Sequence, residues 1–177
     1  MADLDDDKKP LRNLSEAFKE LAANVDSQTA DVELAPFSRA CSLILPLIRS
    51  LGIAFKFAEL DYVGKVNDLA EASKSVGTLQ GMVDRDIEEN TVRRAGSHTK
   101  SLLRVKRTLE VTRVFFEQIL ATDGNSLRDS AFKAYGQVFA PHHGRAVRKA
   151  VAAGTYALPS KEQMLKKLNE DGEDVCP

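Results

Sequence analysis

Between Ala35 and Leu51 the chain is apolar on nearly every side, with Leu43, Ile44, Leu45, Leu47 and Ile48 leaving little polar surface. A surface helix carries one apolar stripe and a polar reverse, so a segment apolar on most sides has to be enclosed by neighbours. Pro46 falls inside it. A proline lacks the N–H of the helical ladder, so the spacing predicts a single buried helix over 35–51 with a kink at Pro46. Gly52 ends the run.

The neighbours come from stretches with the 3.6-residue period. Pro10 can open a helix, and Leu11, Leu14, Phe18 and Leu21 form its apolar face to about Asn24. A polar loop, 26–31, follows. Ile53 to Ser73, Val76 to Glu89 and Ser97 to Thr122 read as three further helices. Asp123-Gly124-Asn125-Ser126 is a turn. Asp129 to Phe139 reads as a helix interrupted at Pro141, with His142 and His143 opening a second half that runs to about Ala153. Ser160 caps a last helix, Lys161 to Asn169. No stretch alternates as a strand does. The class is all-α, with about seven helices around the buried second one.

Two of these helices have stripes that change character along their length. On a wheel of about 100° per residue with Lys100 at zero, Arg104 falls at roughly 40° and Arg107 at roughly −20°. Val111, Val114 and Phe115 continue that stripe, and Leu102, Val105, Leu109, Phe116 and Leu120 make the core face. In Ile53–Ser73 the order is reversed: Ala54, Phe57 and Ala58 come first, then Asp61, Lys65 and Asp68. Packed antiparallel, the two helices bring charged ends together and apolar ends together. Asp61 and Lys65, one turn apart, can also meet. Such a surface suits a ligand with an anionic head and an apolar tail. It also suits long cationic side chains snorkelling over core, and both readings stay open at this point.

The chain has 177 residues, 43% of them hydrophobic, and a net charge of −1. That describes a soluble globular domain with a sizeable core and not a general nucleic-acid binder. The acidic start, Met1 to Asp7, has no apolar segment, reads as disordered, and is not expected to be a secretory signal. Cys41 and Cys176 make no disulfide framework, which points to a reducing cytosol, and Cys41 reads as inert packing. Arg93, Arg94, Lys106 and Arg113 add to a local basic patch that could face an anionic membrane. Adjacent histidines on a helix diverge by about 100°, so His142 and His143 are not an i, i+4 metal pair. One of them facing Asp61 and Lys65 as a hydrogen-bond partner fits better. An acid/base enzyme using Asp61, Lys65 and His143 has the right residue types. It lacks an evident nucleophile, oxyanion turn or glycine-rich loop. No enzyme activity, metal or cofactor is expected.

Three motifs occur in order: Phe57-Ala58-Glu59-Leu60-Asp61-Tyr62-Val63-Gly64-Lys65, Gly96-Ser97-His98-Thr99-Lys100-Ser101-Leu102-Leu103-Arg104-Val105-Lys106-Arg107, and Phe139-Ala140-Pro141-His142-His143-Gly144. Together they closely resemble the glycolipid transfer protein superfamily, and most of all its plant members that carry ceramide-1-phosphate and regulate programmed cell death. The resemblance implies a two-layer α-helical sandwich over 10–170, between a disordered acidic start at 1–9 and a polar tail at 171–177. It implies a head-group site in which Asp61 and His143 bind the sphingoid amide and hydroxyl while Lys65, Lys100 and Arg104 bind the phosphate. In sugar-selective members a Trp stands where Arg104 stands here; this chain has no Trp. A charged fork in place of a flat stacking surface favours phosphate. The expected function is intermembrane transfer of ceramide-1-phosphate, or a related phosphosphingolipid, by a cytosolic monomer that touches an anionic membrane transiently. The alternative is a lipid-sensing or helical interaction protein that binds without productive transfer. Three positions depart from the family. Lys100 replaces an Arg, Arg145 replaces a Trp found in many members, and the family continues with at least one more helix beyond about Glu173. A pocket less closed by a C-terminal helix is therefore expected.

Overall fold

The computed structural model describes residues 9–26 and 31–168. The polar loop at 27–30, the acidic start at 1–8 and the tail from 169 onward, with Cys176, lie outside the described residues. Nine α-helices follow one another among the described residues: α1 Pro10–Asp26, α2 Leu34–Ser42, α3 Leu45–Ser50, α4 Lys56–Ala72, α5 Leu79–Glu88, α6 His98–Leu120, α7 Arg128–Val138, α8 Arg145–Gly154 and α9 Lys161–Lys167. Short 3-10 turns at Ile53–Phe55, Ala140–His142 and Thr155–Ala157 link some of them. Two isolated bridges, Glu33 with Thr78 and Ser126 with Ser160, do not extend into a sheet. The chain is all-α, as the periodicity predicts.

The expected single helix over 35–51 is two helices. The break falls at Leu43–Ile44, and Pro46 sits in the first turn of α3 instead of at a kink. The reason is local: a proline has no N–H for the carbonyl four residues back and its ring crowds that carbonyl, so α2 ends at Ser42. The break also exposes the Cys41 carbonyl, which accepts hydrogen bonds from Ile44 N at 3.2 Å and from the Tyr62 hydroxyl at 2.8 Å. Tyr62 thereby pins α4 to the break. Burial pushes the Cys41 thiol up to about 12, in keeping with a packing role. Gly52, at φ 94°, takes the left-handed conformation that turns the chain into the 3-10 turn before α4.

Two other boundaries differ from expectation. The helix expected from Val76 starts at Leu79, because the Thr78 hydroxyl accepts from Gly81 N and acts as its N-cap. His142 and His143 do not open a helix. They lie in and just after the 3-10 turn, and α8 begins at Arg145. The Ser160 cap of α9 is present as a full capping box with Gln163.

Two apolar clusters build the interior. In one, Leu34, Cys41 and Ile44 meet Tyr62, Val66, Leu69, Met82 and Val105. In the other, Leu47 meets Val114, Phe115, Ile119, Leu127, Ala134, Val138, Met164 and Leu168. The α2–α3 segment and α6 contribute to both, so the enclosed segment is enclosed as its composition demands. Helix α6 packs against α4, α5 and α7 and therefore needs more than one apolar face. Val114 and Phe115, read from the wheel as the far end of the cationic stripe, are buried, whereas Leu120, read as core, is 60% exposed.

Candidate lipid site

The start of α6 is fixed by its caps. The Ser97 hydroxyl accepts from Lys100 N and donates to the Val92 carbonyl. Asp86, buried on α5, accepts from Thr99 N at 2.7 Å and from the Thr99 hydroxyl at 2.6 Å. Burial alone raises a carboxyl, but the Thr99 and Thr91 hydrogen bonds and nearby His98 outweigh it and hold Asp86 below its ordinary value. A carboxylate at a helix N-terminus also meets the positive end of the helix dipole. Asp68, late on α4, lies 3.0 Å from His98 Nδ1 at the start of α6. The late part of α4 thus meets the early part of α6, the antiparallel arrangement that the reversed stripes require.

Further along the pair, the surfaces of α4 and α6 part around a cavity of about 520 Å³. Its floor is apolar: Leu47 and Ile48 from α3 and Leu51 just after it, Phe55 and Phe57, then Val111 and Phe115 from α6, Ala131 and Ala134 from α7, and Val147 and Val151 from α8. Asp61, Arg104 and His143 converge on it from α4, α6 and the segment between α7 and α8. Asp61 is exposed and Arg104 half-buried, and neither side chain has a hydrogen-bond or ion-pair partner among the described residues. No ion pair joins Asp61 to Lys65 among the described residues, unlike the pairing their spacing allows.

The other two candidates lie off the lining. Lys65 is half-buried one turn after Asp61. Lys100 is exposed one turn before Arg104, and its Nζ donates to the Arg93 carbonyl. His143 does not bond to Asp61 or Lys65; its Nδ1 lies 2.9 Å from the Tyr135 hydroxyl. The Phe139 ring stacks on the imidazole, with centroids 5.4 Å apart and planes at 19°. Arg148 Nε donates to the His143 carbonyl at 2.8 Å. Burial, then the positive charge of Arg104 and the neighbouring His142, Arg107 and Arg148, holds His143 below the ordinary imidazole range. Tyr135 and Arg148 have no counterpart among the residues singled out from sequence. One signal was there: Tyr135, Phe139 and His143 recur every four residues.

Close in sequence to the lining residues Phe55, Ala58 and Asp61, Ile53 is 88% exposed, Phe57 54% and Leu60 61%. Glu59, buried beside them, binds Arg49 Nε at 2.8 Å and Lys56 Nζ at 2.7 Å, tying α3 to the first turn of α4. Arg49 and then Lys56 hold its carboxyl below the ordinary range. No helix among the described residues is long and apolar enough to cross a membrane, and no cluster of metal-ligating side chains occurs among them.

Comparison with known proteins places this geometry. The glycolipid transfer protein family matches residues 32–170. Accelerated cell death 11 of Arabidopsis thaliana is 59% identical over 172 residues, covering 97% of this chain and 83% of the relative. The ACD11 homolog protein of the same plant is 45% identical, covering 94% and 75%. A crystal structure of a mutant of Arabidopsis ACD11 complexed with a ceramide-1-phosphate superposes with a TM-score of 0.92 at 57% identity, covering 94% of this chain and 83% of that one. The architecture is the two-layer helical sandwich expected from the three motifs.

Proposed function

This chain belongs to the glycolipid transfer protein family, and from that premise we propose that it carries ceramide-1-phosphate, or a closely related phosphosphingolipid, between membranes without altering it chemically. The observation that carries the reading is Arg104, a cation with no anionic partner among the described residues, in the lining of a mostly apolar cavity. A guanidinium offers a planar fork matched to phosphate oxygens, each charge-assisted bond contributing about 1.5–3 kcal/mol. Asp61 can accept from an amide N–H or hydroxyl and His143 can bond the same polar region of a ceramide. Lys65 and Lys100, one turn away along their helices, add positive potential from the rim. Moving a chain of about 16 carbons into water costs on the order of 12 kcal/mol at about 0.8 per methylene. Bilayer and cavity are both apolar, so passage from one to the other avoids most of that cost.

The exposed Ile53, Phe57 and Leu60, with Val147 and the cations Arg145, Arg148 and Lys149 on α8, suit a transient contact with an anionic membrane surface. The working form is a cytosolic monomer. The test is vesicle-to-vesicle transfer of labelled ceramide-1-phosphate, with mass spectrometry of the lipid afterwards. Transfer with the lipid recovered intact supports a carrier. Tight binding without transfer means a lipid sensor instead, and an altered lipid means an enzyme.

A further inference from the structure

We propose that Tyr135 is a positioning residue that fixes His143 as the neutral Nε2–H tautomer, so that the site offers its ligand a hydrogen-bond donor at that nitrogen. This rests on the reading of the cavity as a ceramide site and adds the group that sets the polarity of one of its contacts. The Tyr135 hydroxyl lies 2.9 Å from His143 Nδ1 and has no other partner among the described residues. The distance fits either direction, but the hydroxyl hydrogen has no other acceptor among the described residues, so we assign the phenol as donor and Nδ1 as acceptor, and a neutral imidazole accepts at only one nitrogen. With Nδ1 accepting, the ring proton sits on Nε2.

Three contacts keep the ring where this bond can form. Phe139 stacks on one face at 5.4 Å, the Tyr135 ring lies 5.7 Å away at 40°, and Arg148 anchors the His143 carbonyl. The surroundings keep the ring neutral. Arg104 and Arg107 from α6, Arg148 from α8 and the adjacent His142 all oppose a positive charge, as does burial, while Asp61 of α4 lines the same cavity. The consequence is a complementary pair. His143 Nε2 donates and the Asp61 carboxylate, an acceptor only, takes a donor.

The test reads the tautomer in the intact protein. Long-range proton–nitrogen NMR spectra of protein labelled with nitrogen-15 at histidine, with His143 assigned by His143→Gln, show an Nε2 of the protonated type and an Nδ1 of the unprotonated type at neutral pH. In Tyr135→Phe the ring becomes a mixture of tautomers and titrates at higher pH, because a hydrogen bond to the neutral form is gone. Transfer of ceramide-1-phosphate falls about 3- to 10-fold, the worth of one neutral hydrogen bond. A proton on Nδ1 in the parent protein, or an unchanged tautomer in Tyr135→Phe, overturns the proposal. If the tautomer behaves as described while His143→Ala transfers lipid at the parent rate, the positioning stands and the assignment of His143 to the ligand fails.

Discussion

The α4–α6 pair carries charge in two places, and the two are built differently. At the start of α6, Asp86 is met by Thr99 and Thr91, Asp68 by His98, and Lys100 by the Arg93 carbonyl. These charges are hydrogen-bonded within the fold and hold the helix end. Further along, Asp61 and Arg104 have no protein partner among the described residues and stand at the edge of a cavity whose walls are otherwise mostly apolar. Charge satisfied within the fold contributes stability, whereas charge left unsatisfied beside an apolar cavity is available to something else. The same stripe of cations thus divides into a structural part and a binding part, and helical spacing alone does not show where the division falls.

The binding part is the most sensitive to a single substitution. Arg104→Leu removes the unpartnered fork, and vesicle transfer of ceramide-1-phosphate falls about 10- to 100-fold, while the melting temperature changes little. An equal loss of stability would erase the distinction between the two regions. The structural part is tested by Asp86→Ala, which leaves the Thr99 donors without their acceptor. Denaturant unfolding shows a loss of about 2–3 kcal/mol, with transfer at low denaturant retained. Because Asp86 is held below its ordinary value when folded, its contribution is present above the unfolded carboxyl value. That contribution is lost as pH falls through the folded value, and the acid limb of the stability curve flattens in the variant.

His143 has the opposite chemistry but the same sign. Its folded-state value lies below the unfolded one, so the unfolded chain takes up a proton first as pH falls below about 6.5. Stability therefore declines through that window, and His143→Gln reduces the slope measured by denaturant midpoints between pH 5 and pH 8. The smallest effect belongs to Lys100. It lies off the cavity and is bonded to a backbone carbonyl, so Lys100→Ala slows transfer by only about 2-fold, and added salt abolishes the difference.

Much of the fold was legible, because helix existence follows from a period that local sequence carries. The reversed stripes on α4 and α6 even foretold their antiparallel pairing. The break at Leu43–Ile44 was not legible in detail. Proline acts on the carbonyl four residues upstream, and Tyr62, distant in sequence, then takes up a carbonyl at the break. The apolar face that resumes after Pro141 points to a helix starting at His142 and His143, but a 3-10 turn over Ala140–His142 intervenes. At the site, residue types and motifs singled out Asp61, Arg104 and His143, which the fold brings to one cavity. Lys65 and Lys100 share their stripes but not the lining, a difference of one helical turn that spacing treats as equivalent. Tyr135 was missed because a phenol carries no charge, and its meaning depends on the ring it faces.

Arg104, without an anionic partner among the described residues and beside an apolar cavity, is proposed to select a phosphate head. The most direct test is competition in one vesicle assay between ceramide-1-phosphate and a neutral glycosphingolipid with the same chains. The parent protein is expected to move the phosphorylated lipid at least about 10-fold faster, and Arg104→Leu to remove the preference. Equal transfer of the two lipids by the parent protein, or an undiminished preference in the variant, would contradict it.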